Sequence, residues 1–277
     1  NVARGVIDGL DKLQVAGQDL EFFSHGTTAA TNAIIEKKGA KTGLITTAGF
    51  RDVLEIRRAD RGSLYDYWWR PPQPLVPRQL RREARERIAF DGRVLTPLDE
   101  ADVEAAVTFL KGHDVEAVAI CYLNSFANPE HERRTKEIVA NLWPEVFVCT
   151  SAEVLPELLE FERTSTTVAN AYVGPIISRY LADLETRMAE RGFAHDIFIM
   201  GSSGGMMTTQ QAERLPVATA VSGLAAGVMA GAHVAQQSGL ANLITLDVGG
   251  TSSDIALIHN HTPRLSPGWV IGFGVPI

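Results

Sequence analysis

The stretch L-D-V-G-G-T-S-S-D-I-A-L-I, residues 246–258, decides the fold class because it has the pattern of a strand, a tight turn and a second strand. Asp247 lies at the end of the first apolar strand and Asp254 at the start of the second. Two glycines let the backbone approach an anion, and two hydroxyl residues add donors. An aspartate can also hold hydrated Mg²⁺. The pattern predicts a phosphate-binding turn, with a ligand-free glycine hairpin as the alternative. The predicted phosphate contacts are Gly249, Gly250, Thr251 and Ser252.

The helix that precedes this hairpin repeats glycine at a four-residue spacing, at Gly223, Gly227 and Gly231. This spacing places all three on one face of the helix, and close packing against a neighbour explains it most simply. The helix also begins near Gly223, where free backbone N–H groups can receive a phosphate. Gly223 is therefore a second candidate contact for the nucleotide.

Two further polar segments follow predicted strands, at residues 25–28 and 201–205. Ligands collect at the carboxyl ends of strands in α/β folds, which makes both segments candidate pocket walls. Helix capping by Thr27 or Thr28 is the alternative for the first segment. An arginine in the irregular segment that begins at residue 57 can contact substrate or support the surrounding fold. The predicted substrate contacts are His25, Thr27, Thr28, Asn32, Arg57, Ser203 and Gly204.

Apolar strand patterns alternate with amphipathic helix patterns along most of the chain, which is typical of an α/β fold. Asp99 is placed to cap one of the helices, and Gly39 is predicted to end another. A long helical pattern is interrupted at Gly174-Pro175, which predicts two helices or one kinked helix. The predicted strands include residues 42–46, 115–122, 146–150, 196–200 and 216–221, and the predicted helices include residues 27–38, 98–111, 129–142, 155–191 and 224–237.

Charged residues outside these motifs suggest ordinary surface roles. Four arginines and two glutamates alternate between Arg81 and Arg87, which predicts a solvated, charge-paired face. Glu160 and Arg163 lie on the long helix, where an intrahelical pair is the simplest interpretation and an active-site wall the alternative. Cys121 and Cys149 each lie in an apolar strand, which predicts buried, reduced thiols.

Composition excludes several classes of protein. The chain of 277 residues is 45% hydrophobic, and its 26 Lys and Arg against 33 Asp and Glu give a net charge of −7, which argues against nucleic acid as a partner. It has no apolar run long enough to cross a membrane and no secretory signal, so we expect a cytoplasmic protein. No Walker A, nucleophile-elbow or H-E-x-x-H motif is present.

The first residue is Asn1 and the last segment has no helix stop, which suggests a fragment.

Five segments together closely resemble the hydantoinase A/5-oxoprolinase family, which includes acetone and acetophenone carboxylase subunits. They are H-G-T-T-A-A-T-N-A-I-I-E-K-K-G-A-K-T from His25, T-T-A-G-F-R-D-V-L-E-I from Thr46, P-L-V-P-R from Pro74, E-F-E-R-T-S-T-T-V-A-N-A-Y-V-G-P from Glu160 and L-D-V-G-G-T-S-S-D-I-A-L-I from Leu246. The resemblance spans nearly the whole chain.

The resemblance implies an incomplete actin-like (ribonuclease H-like) ATPase fold with mixed sheets flanked by helices. Residues 1–191 would be the N-terminal region without its first phosphate loop, and residues 192–277 the start of the ATPase domain. The segment Asp247 to Asp254 would be the second phosphate loop, with Asp247 and Asp254 catalytic and Asp247 a ligand of Mg²⁺.

The family's chemistry implies an ATP-dependent cyclic-amide hydrolase that phosphorylates a ring carbonyl oxygen before water opens the ring. It also implies a B-type partner subunit and an oligomer. Two alternatives stay open: an acetone or acetophenone carboxylase subunit, and a non-catalytic scaffold. The fragment alone is expected to be inactive.

Overall fold

The structure is a computed structural model that describes residues 2–59, 61–248, 253–264, 270–271 and 275–276. The chain divides into two compact units. The first unit comprises Asn1–Ala33 and Ile176–Gly268, and the second comprises Ile34–Pro175 and Trp269–Ile277. The predicted boundary between residues 191 and 192, which separates two sequence regions of a family, stays a prediction.

Helices and strands alternate through both units. The helices are α1 (Val2–Leu13), α2 (Ala29–Ile35), α3 (Val53–Ile56), α4 (Glu100–Lys111), α5 (Glu130–Leu142), α6 (Ser151–Val154), α7 (Glu160–Glu190), α8 (Thr209–Arg214) and α9 (Ser222–Gln237). The strands are β1 (Phe23–His25), β2 (Thr42–Thr47), β3 (Arg81–Ala84), β4 (Arg87–Ile88), β5 (Val94–Thr96), β6 (Ala117–Cys121), β7 (Phe147–Thr150), β8 (Ile197–Met200), β9 (Met206–Thr208), β10 (Asn242–Val248), β11 (Ser253–His259), β12 (Thr262–Pro263), β13 (Val270–Ile271) and β14 (Val275–Pro276).

A parallel sheet of four strands, in the order β3-β2-β6-β7, forms the centre of the second unit. Every residue of β2 and β6 is buried, because helices cover the faces of a parallel sheet. Leu44, Ile45 and Ile120 pack in one core with Val107 and Leu110 of α4. The strands predicted at residues 42–46, 115–122 and 146–150 are confirmed as β2, β6 and β7, with ends that differ by a few residues, whereas β3 was not predicted.

The first unit contains two sheets. In the sheet β1-β8-β9, β1 is parallel to β8 and β9 is antiparallel to it, so this sheet is mixed. The sheet β10-β11-β12 is antiparallel. Helix α9 packs on it through Val228 and Ala232, which form a small core with Ile258. The observed architecture is the predicted α/β fold with mixed sheets flanked by helices.

Helix ends and short segments depart from the sequence predictions in specific places. Helix α2 ends earlier than predicted, and the left-handed residue after it is Lys37, at φ 55°, rather than Gly39. Gly39 is needed for another reason, since a Cβ there would lie 2.0 Å from the Tyr172 ring. The extended run predicted for residues 216–221 is wrong, because Pro216–Thr219 is a 3-10 helix that starts with proline.

Helix α7 continues for 31 residues with Pro175 inside it. A proline removes one helical hydrogen bond and disturbs the preceding turn. The Tyr172 carbonyl in that turn accepts a hydrogen bond from the Ala40 N–H at 2.9 Å, so a neighbouring segment contributes a donor beside the proline. The structure therefore has one helix, so of the two predicted alternatives the pair of separate helices is wrong.

The charged run from Arg81 to Arg87 is not the solvated face that the sequence predicted. Arg81 and Glu86 are both buried. The Arg81 guanidinium donates to the Val76 carbonyl at 2.8 and 3.0 Å and pairs with Glu55 at 2.9 Å. A backbone carbonyl and a carboxylate from outside the charged run thus bury a cation that the local charge pattern assigns to the surface. Among the described residues, no helix is both long and apolar enough to cross a membrane.

Candidate functional site

The segment that decides the fold forms a β-hairpin. Strands β10 and β11 pair from Asn242↔His259 to Val248↔Ser253, and this register places Asp247 directly opposite Asp254. The Asp247 side chain is exposed. The four turn residues predicted to contact phosphate, Gly249, Gly250, Thr251 and Ser252, lie outside the described residues. The hairpin itself is therefore as predicted, and the roles of its turn residues and of both aspartates stay predictions.

Helix α9 packs against the hairpin at one of its three glycines. A Cβ at Gly231 would lie 2.5 Å from the Thr245 methyl group, so close packing accounts for this glycine. Gly227 has no such neighbour within 4 Å, and the nearest atom to a Cβ at Gly223 would be the Thr28 methyl group at 4.0 Å. Close packing thus explains Gly231 but neither Gly227 nor Gly223. Gly223, at the start of α9, faces Thr28 in the segment that follows β1.

The segment after β1 is joined directly to the start of α9. The Thr27 N–H donates to Ser222 Oγ at 3.2 Å, and Ser222 Oγ–H donates to the Thr27 carbonyl at 2.9 Å. Both residues are buried. The Val221 N–H donates to Thr31 Oγ1 at 2.8 Å, which holds Val221 at φ 60°, an unfavourable conformation for a β-branched residue.

Capping explains part of this segment. Thr27 Oγ1 accepts from the Ala29 N–H at 3.2 Å at the start of α2, as the alternative interpretation predicted. Thr28 is exposed and accepts from the Asn32 side chain at 3.3 Å. Thr28 and Asn32 therefore remain candidates for contact with a ligand, whereas the Thr27 side chain has a structural role as a cap.

His25 is half-buried beside Tyr180, with 6.0 Å between the ring centroids. Its Nε2 is buried and has no hydrogen-bond partner among the described residues. Burial lowers the pKa of His25, which favours the neutral ring, and burial raises the pKa of Tyr180 to about 12. His25 thus has a ring held in the neutral form, and its enclosed Nε2 is unpaired among the described residues.

The loop after β8 lies at the same end of the sheet, because β1 and β8 are parallel and His25 is opposite Ile199. The Gly201 N–H donates to the Gly205 carbonyl at 2.8 Å, and Gly204 has φ +83°. A Cβ at Gly204 would lie 3.0 Å from Met229 of α9. Ser203 is exposed.

The first unit thus brings together most of the predicted contacts. They are His25, Thr27, Thr28, Asn32, Ser203, Gly204 and Gly223. Arg57, the remaining predicted substrate contact, belongs to the second unit.

A buried polar network at the carboxyl ends of β6 and β7 was missed by the sequence reasoning. Arg163 donates to the Tyr122 carbonyl at 2.7 Å, to Ser151 Oγ at 3.0 Å and to Ser125 Oγ. Glu132 is fully buried and accepts from Ser151 at 2.6 Å and from the N–H groups of Tyr122 and Ala152 at 2.8 and 2.9 Å. The predicted intrahelical pair of Arg163 is therefore wrong.

The charges of this network are strongly affected by burial. Burial raises the pKa of Glu132, while the hydrogen bonds from Ser151 and the two N–H groups oppose the rise. A second buried contact nearby joins His131 Nδ1 to Glu86 at 2.8 Å. Neither the Glu132 network nor the His131–Glu86 pair lines a cleft formed by the described residues. Both therefore serve to hold the strand ends and the start of α7. Serines after two strands were the only sequence signal for the network.

The two cysteines are free and buried, as predicted. Burial raises the pKa of Cys149 to about 12 and that of Cys121 in the same direction. A thiol of that kind is a poor nucleophile at neutral pH. The cysteines are therefore part of the core rather than of a reactive centre.

A cleft of about 640 Å³ lies in the second unit between the segment after β2 and the start of α7. We name it the Arg57 cleft, after the arginine that lines it. The Arg57 guanidinium lies 5.8 Å from the centre of the Phe161 ring. The cleft residues are Gly49, Phe50, Asp52, Val53, Ile56, Arg57, Arg58, Leu159, Glu160, Phe161 and Glu162.

Within the described part of the chain, no group of three or more His, Cys, Asp or Glu residues is placed to hold a metal ion. The metal ligand predicted from the sequence is the single residue Asp247, on a hairpin whose turn is outside that part. Its role as a ligand of Mg²⁺ stays a prediction.

Two family models match the chain. The hydantoinase/oxoprolinase N-terminal region matches residues 1–143, and the hydantoinase/oxoprolinase model matches residues 163–272. The chain belongs to the hydantoinase/oxoprolinase family, which confirms the resemblance seen in the sequence.

Relatives include a lactam-cleaving enzyme and a carboxylase. The chain is 42% identical over 241 residues to the caprolactamase α subunit of Pseudomonas jessenii, a match that covers 86% of this chain and 35% of that subunit. The crystal structure of the ATP-dependent caprolactamase of that organism matches with a TM-score of 0.81 and 40% identity over 92% of this chain and 38% of the other.

A nucleotide-free acetone carboxylase structure matches with a TM-score of 0.85 and 30% identity over 100% of this chain and 41% of the other. The chain therefore spans about two fifths of the length of these relatives.

Proposed function

We propose that this chain is part of a subunit of an ATP-dependent cyclic-amide hydrolase. The observation that carries the proposal is the hairpin register, which places Asp247 opposite Asp254 on the two strands that enter and leave the G-G-T-S turn. The choice of a cyclic amide is supported by 42% identity to a caprolactamase subunit. The whole enzyme would include a B-type partner subunit and form an oligomer.

The proposed reaction first makes an unreactive carbonyl electrophilic. The γ-phosphoryl group moves from ATP to the carbonyl oxygen of the ring, and ADP leaves. One water then adds to the activated carbon and the carbon–nitrogen bond breaks, and a second water releases phosphate. The products are an amino acid, ADP and phosphate, and positioning with electrostatic stabilisation supplies most of the catalysis in such a transfer.

The turn would bind the phosphates and the aspartates would position the reacting groups. Residues 249–252 would donate backbone N–H groups and hydroxyls to phosphate oxygens. Like charges that lie directly opposite on neighbouring strands destabilise a sheet, so a cation between Asp247 and Asp254 would suit this hairpin. When bound, Mg²⁺ would neutralise charge on the transferring phosphoryl group, with Asp247 as its ligand.

One end of the sheet β1-β8-β9 in the first unit would form part of the wall of the substrate-binding site. His25 has a neutral ring with a nitrogen that lacks a partner, and Thr28, Asn32 and Ser203 present exposed polar groups at the same end of the sheet. The exposed side chains of Thr28, Asn32 and Ser203 can hydrogen-bond the amide of an uncharged ring. Thr27 would act through its contact with Ser222, by fixing this segment to the start of α9 and Gly223.

A carboxylase subunit is the second candidate, favoured by the acetone carboxylase structure that matches the whole chain. A non-catalytic scaffold is the third. The discriminating experiment is phosphate release from ATP by the full-length subunit with its partner. Stimulation by caprolactam, hydantoin or 5-oxoproline without bicarbonate is the expected result. Stimulation only by a ketone with bicarbonate would overturn the proposal in favour of the carboxylase, and no stimulation by either would favour the scaffold.

A further inference from the structure

The Arg57 cleft contains two charges that have no ion-pair partner among the described residues. Arg58 pairs with Glu162, and Asp52 forms a two-point ion pair with Arg78 at 2.8 and 3.0 Å. Arg57 and Glu160 have no ion pair with any described residue, although both are half-buried and both line the cleft. The cleft therefore presents one available cation and one available carboxylate.

The remaining wall of the cleft is apolar. Phe50, Val53 and Phe161 line it, together with Ile56, which is 64% exposed, and Leu159, which is 54% exposed. Ile56 and Leu159 leave large apolar side chains open to solvent next to the two charges. A ligand that complements this wall has an aliphatic part as well as charged groups.

The backbone at Arg57 is unusual. Its φ of 56° and ψ of −133° are unfavourable for a residue other than glycine, and its N–H donates to the Val53 carbonyl at 2.9 Å at the end of α3. Non-glycine residues held in such conformations cluster at ligand-binding sites. The conformation fixes where the arginine side chain leaves the backbone, beside the Phe161 ring.

We propose that the Arg57 cleft binds a zwitterionic amino acid, with its carboxylate on Arg57, its ammonium group on Glu160 and its aliphatic chain against Ile56 and Leu159. Guanidinium and carboxylate groups pair well in two-point geometry, and a second unpaired charge of opposite sign selects for a ligand with both charges. An uncharged ring satisfies neither residue.

The biological role of this site rests on the proposed function. Opening of a simple lactam such as caprolactam converts an uncharged ring into a molecule with a free ammonium group and a free carboxylate. The cleft would then recognise the product of the reaction rather than its substrate. Binding of a zwitterion can be measured without ATP, so the site can be tested apart from the reaction.

The first test is titration calorimetry of the full-length subunit, without ATP, with 6-aminohexanoate, hexanoate, hexylamine and caprolactam. We expect 6-aminohexanoate to bind about two- to five-fold more tightly than either singly charged analogue, because each charge adds one ion pair at a half-exposed site. Caprolactam should bind the cleft most weakly. Equal affinity for all four compounds would overturn the proposal, because it would mean that the cleft selects only for apolar surface.

Substitutions at the two cleft residues test which charge of the ligand each of them binds. In Arg57→Gln, 6-aminohexanoate should bind no better than hexylamine, and in Glu160→Gln it should bind no better than hexanoate. The matched controls are Arg70→Gln and Glu157→Gln, which remove exposed charges outside the cleft and should retain wild-type affinities. Thermal unfolding checks that each variant is folded. Unchanged affinity in both cleft variants would overturn the proposal even if lactam-dependent ATP hydrolysis is found, and selective zwitterion binding would stand if that activity is absent.

Discussion

At the scale of single residues, the structure depends on charges that are buried with partners from distant parts of the chain. Arg81 takes its acceptors from Val76 and Glu55, and Arg163 takes its acceptors from Tyr122 and from two serines that follow strands. Local patterns suggest a solvated run for Arg81 and an intrahelical pair for Arg163. Neither burial could be predicted, because a charge pattern contains no information about which distant carbonyls the fold brings to a guanidinium.

Replacement of Glu132 by alanine is expected to destabilise the second unit strongly. The change leaves the Ser151 hydroxyl and two backbone N–H groups without their acceptor. We expect a loss of about 3–5 kcal/mol in the free energy of unfolding, because each buried polar group left unpaired costs about 1–3 kcal/mol. Urea unfolding followed by tryptophan fluorescence measures it, since Trp143 is buried in the same core.

The matched control is Glu153→Ala. Glu153 is 54% exposed at its side chain and pairs with Lys136 at 2.7 Å, so its removal should cost at most about 1 kcal/mol. Equal losses for the two variants would show that the buried network contributes no more than a surface pair, which contradicts its assigned role.

At the scale of elements, the periodicity of the sequence predicted those strands and helix ends that depend on neighbouring residues. The apolar runs predicted β2, β6 and β7, and Asp99 predicted the start of α4, where its side chain accepts from the N–H groups of Ala101 and Asp102. Segments determined by tertiary contacts were predicted less well. The sequence left open whether α7 is one helix or two, and Pro175 lies inside it near a carbonyl that accepts from Ala40. Gly39 was predicted to end a helix, but its lack of a side chain is required by the nearby Tyr172 ring.

Asp99→Ala is expected to lower the free energy of unfolding by about 1 kcal/mol, because two N–H groups in the first turn of α4 lose their acceptor. Asp99→Asn retains a capping oxygen and removes only the charge, so a loss below about 0.5 kcal/mol is expected for it. Thermal unfolding of both variants makes the comparison. Equal destabilisation would assign the effect to the exposed ion pair with Arg85 instead of the cap.

At the scale of the whole molecule, the hairpin has one face packed on α9 and one face open. Leu243 and Thr245 are half-buried on the α9 side, whereas Leu246 and Ile255 form a cross-strand pair that is 64% and 67% exposed. Ile244 and Leu257 continue this exposed apolar face as the next pair. A contiguous apolar surface of this kind binds hydrophobic partners or dyes.

We expect the double variant Leu246→Thr, Ile255→Thr to bind much less of the dye ANS than the wild-type chain, without a lower melting temperature. Threonine keeps the strand propensity of these positions and removes most of their apolar surface. Leu13→Thr is the control, because Leu13 is 73% exposed on helix α1, far along the chain from this face. An equal decrease in dye fluorescence in the control would argue against a dominant hairpin face.

The candidate site was partly predictable. Strand ends and glycine turns identified residues 25–28, 201–205 and 247–254, and the parallel register of β1 and β8 brings the first two segments to one sheet end. The unpaired state of Glu160 could not be predicted, because it depends on which carboxylates Arg58 and Arg78 occupy. Sequence motifs thus located the candidate nucleotide turn, and only the structure revealed the Arg57 cleft.

The most direct test of the proposed function is the rate of phosphate release from ATP by the full-length complex with caprolactam, compared between the wild type and Asp247→Asn. If Asp247 positions the reacting phosphoryl group, the variant should lose lactam-dependent turnover by about 100-fold or more. Asp196→Asn, which removes an exposed aspartate elsewhere in the first unit, should retain it. Lactam-dependent turnover that is unchanged in Asp247→Asn would contradict the assignment of this hairpin to catalysis.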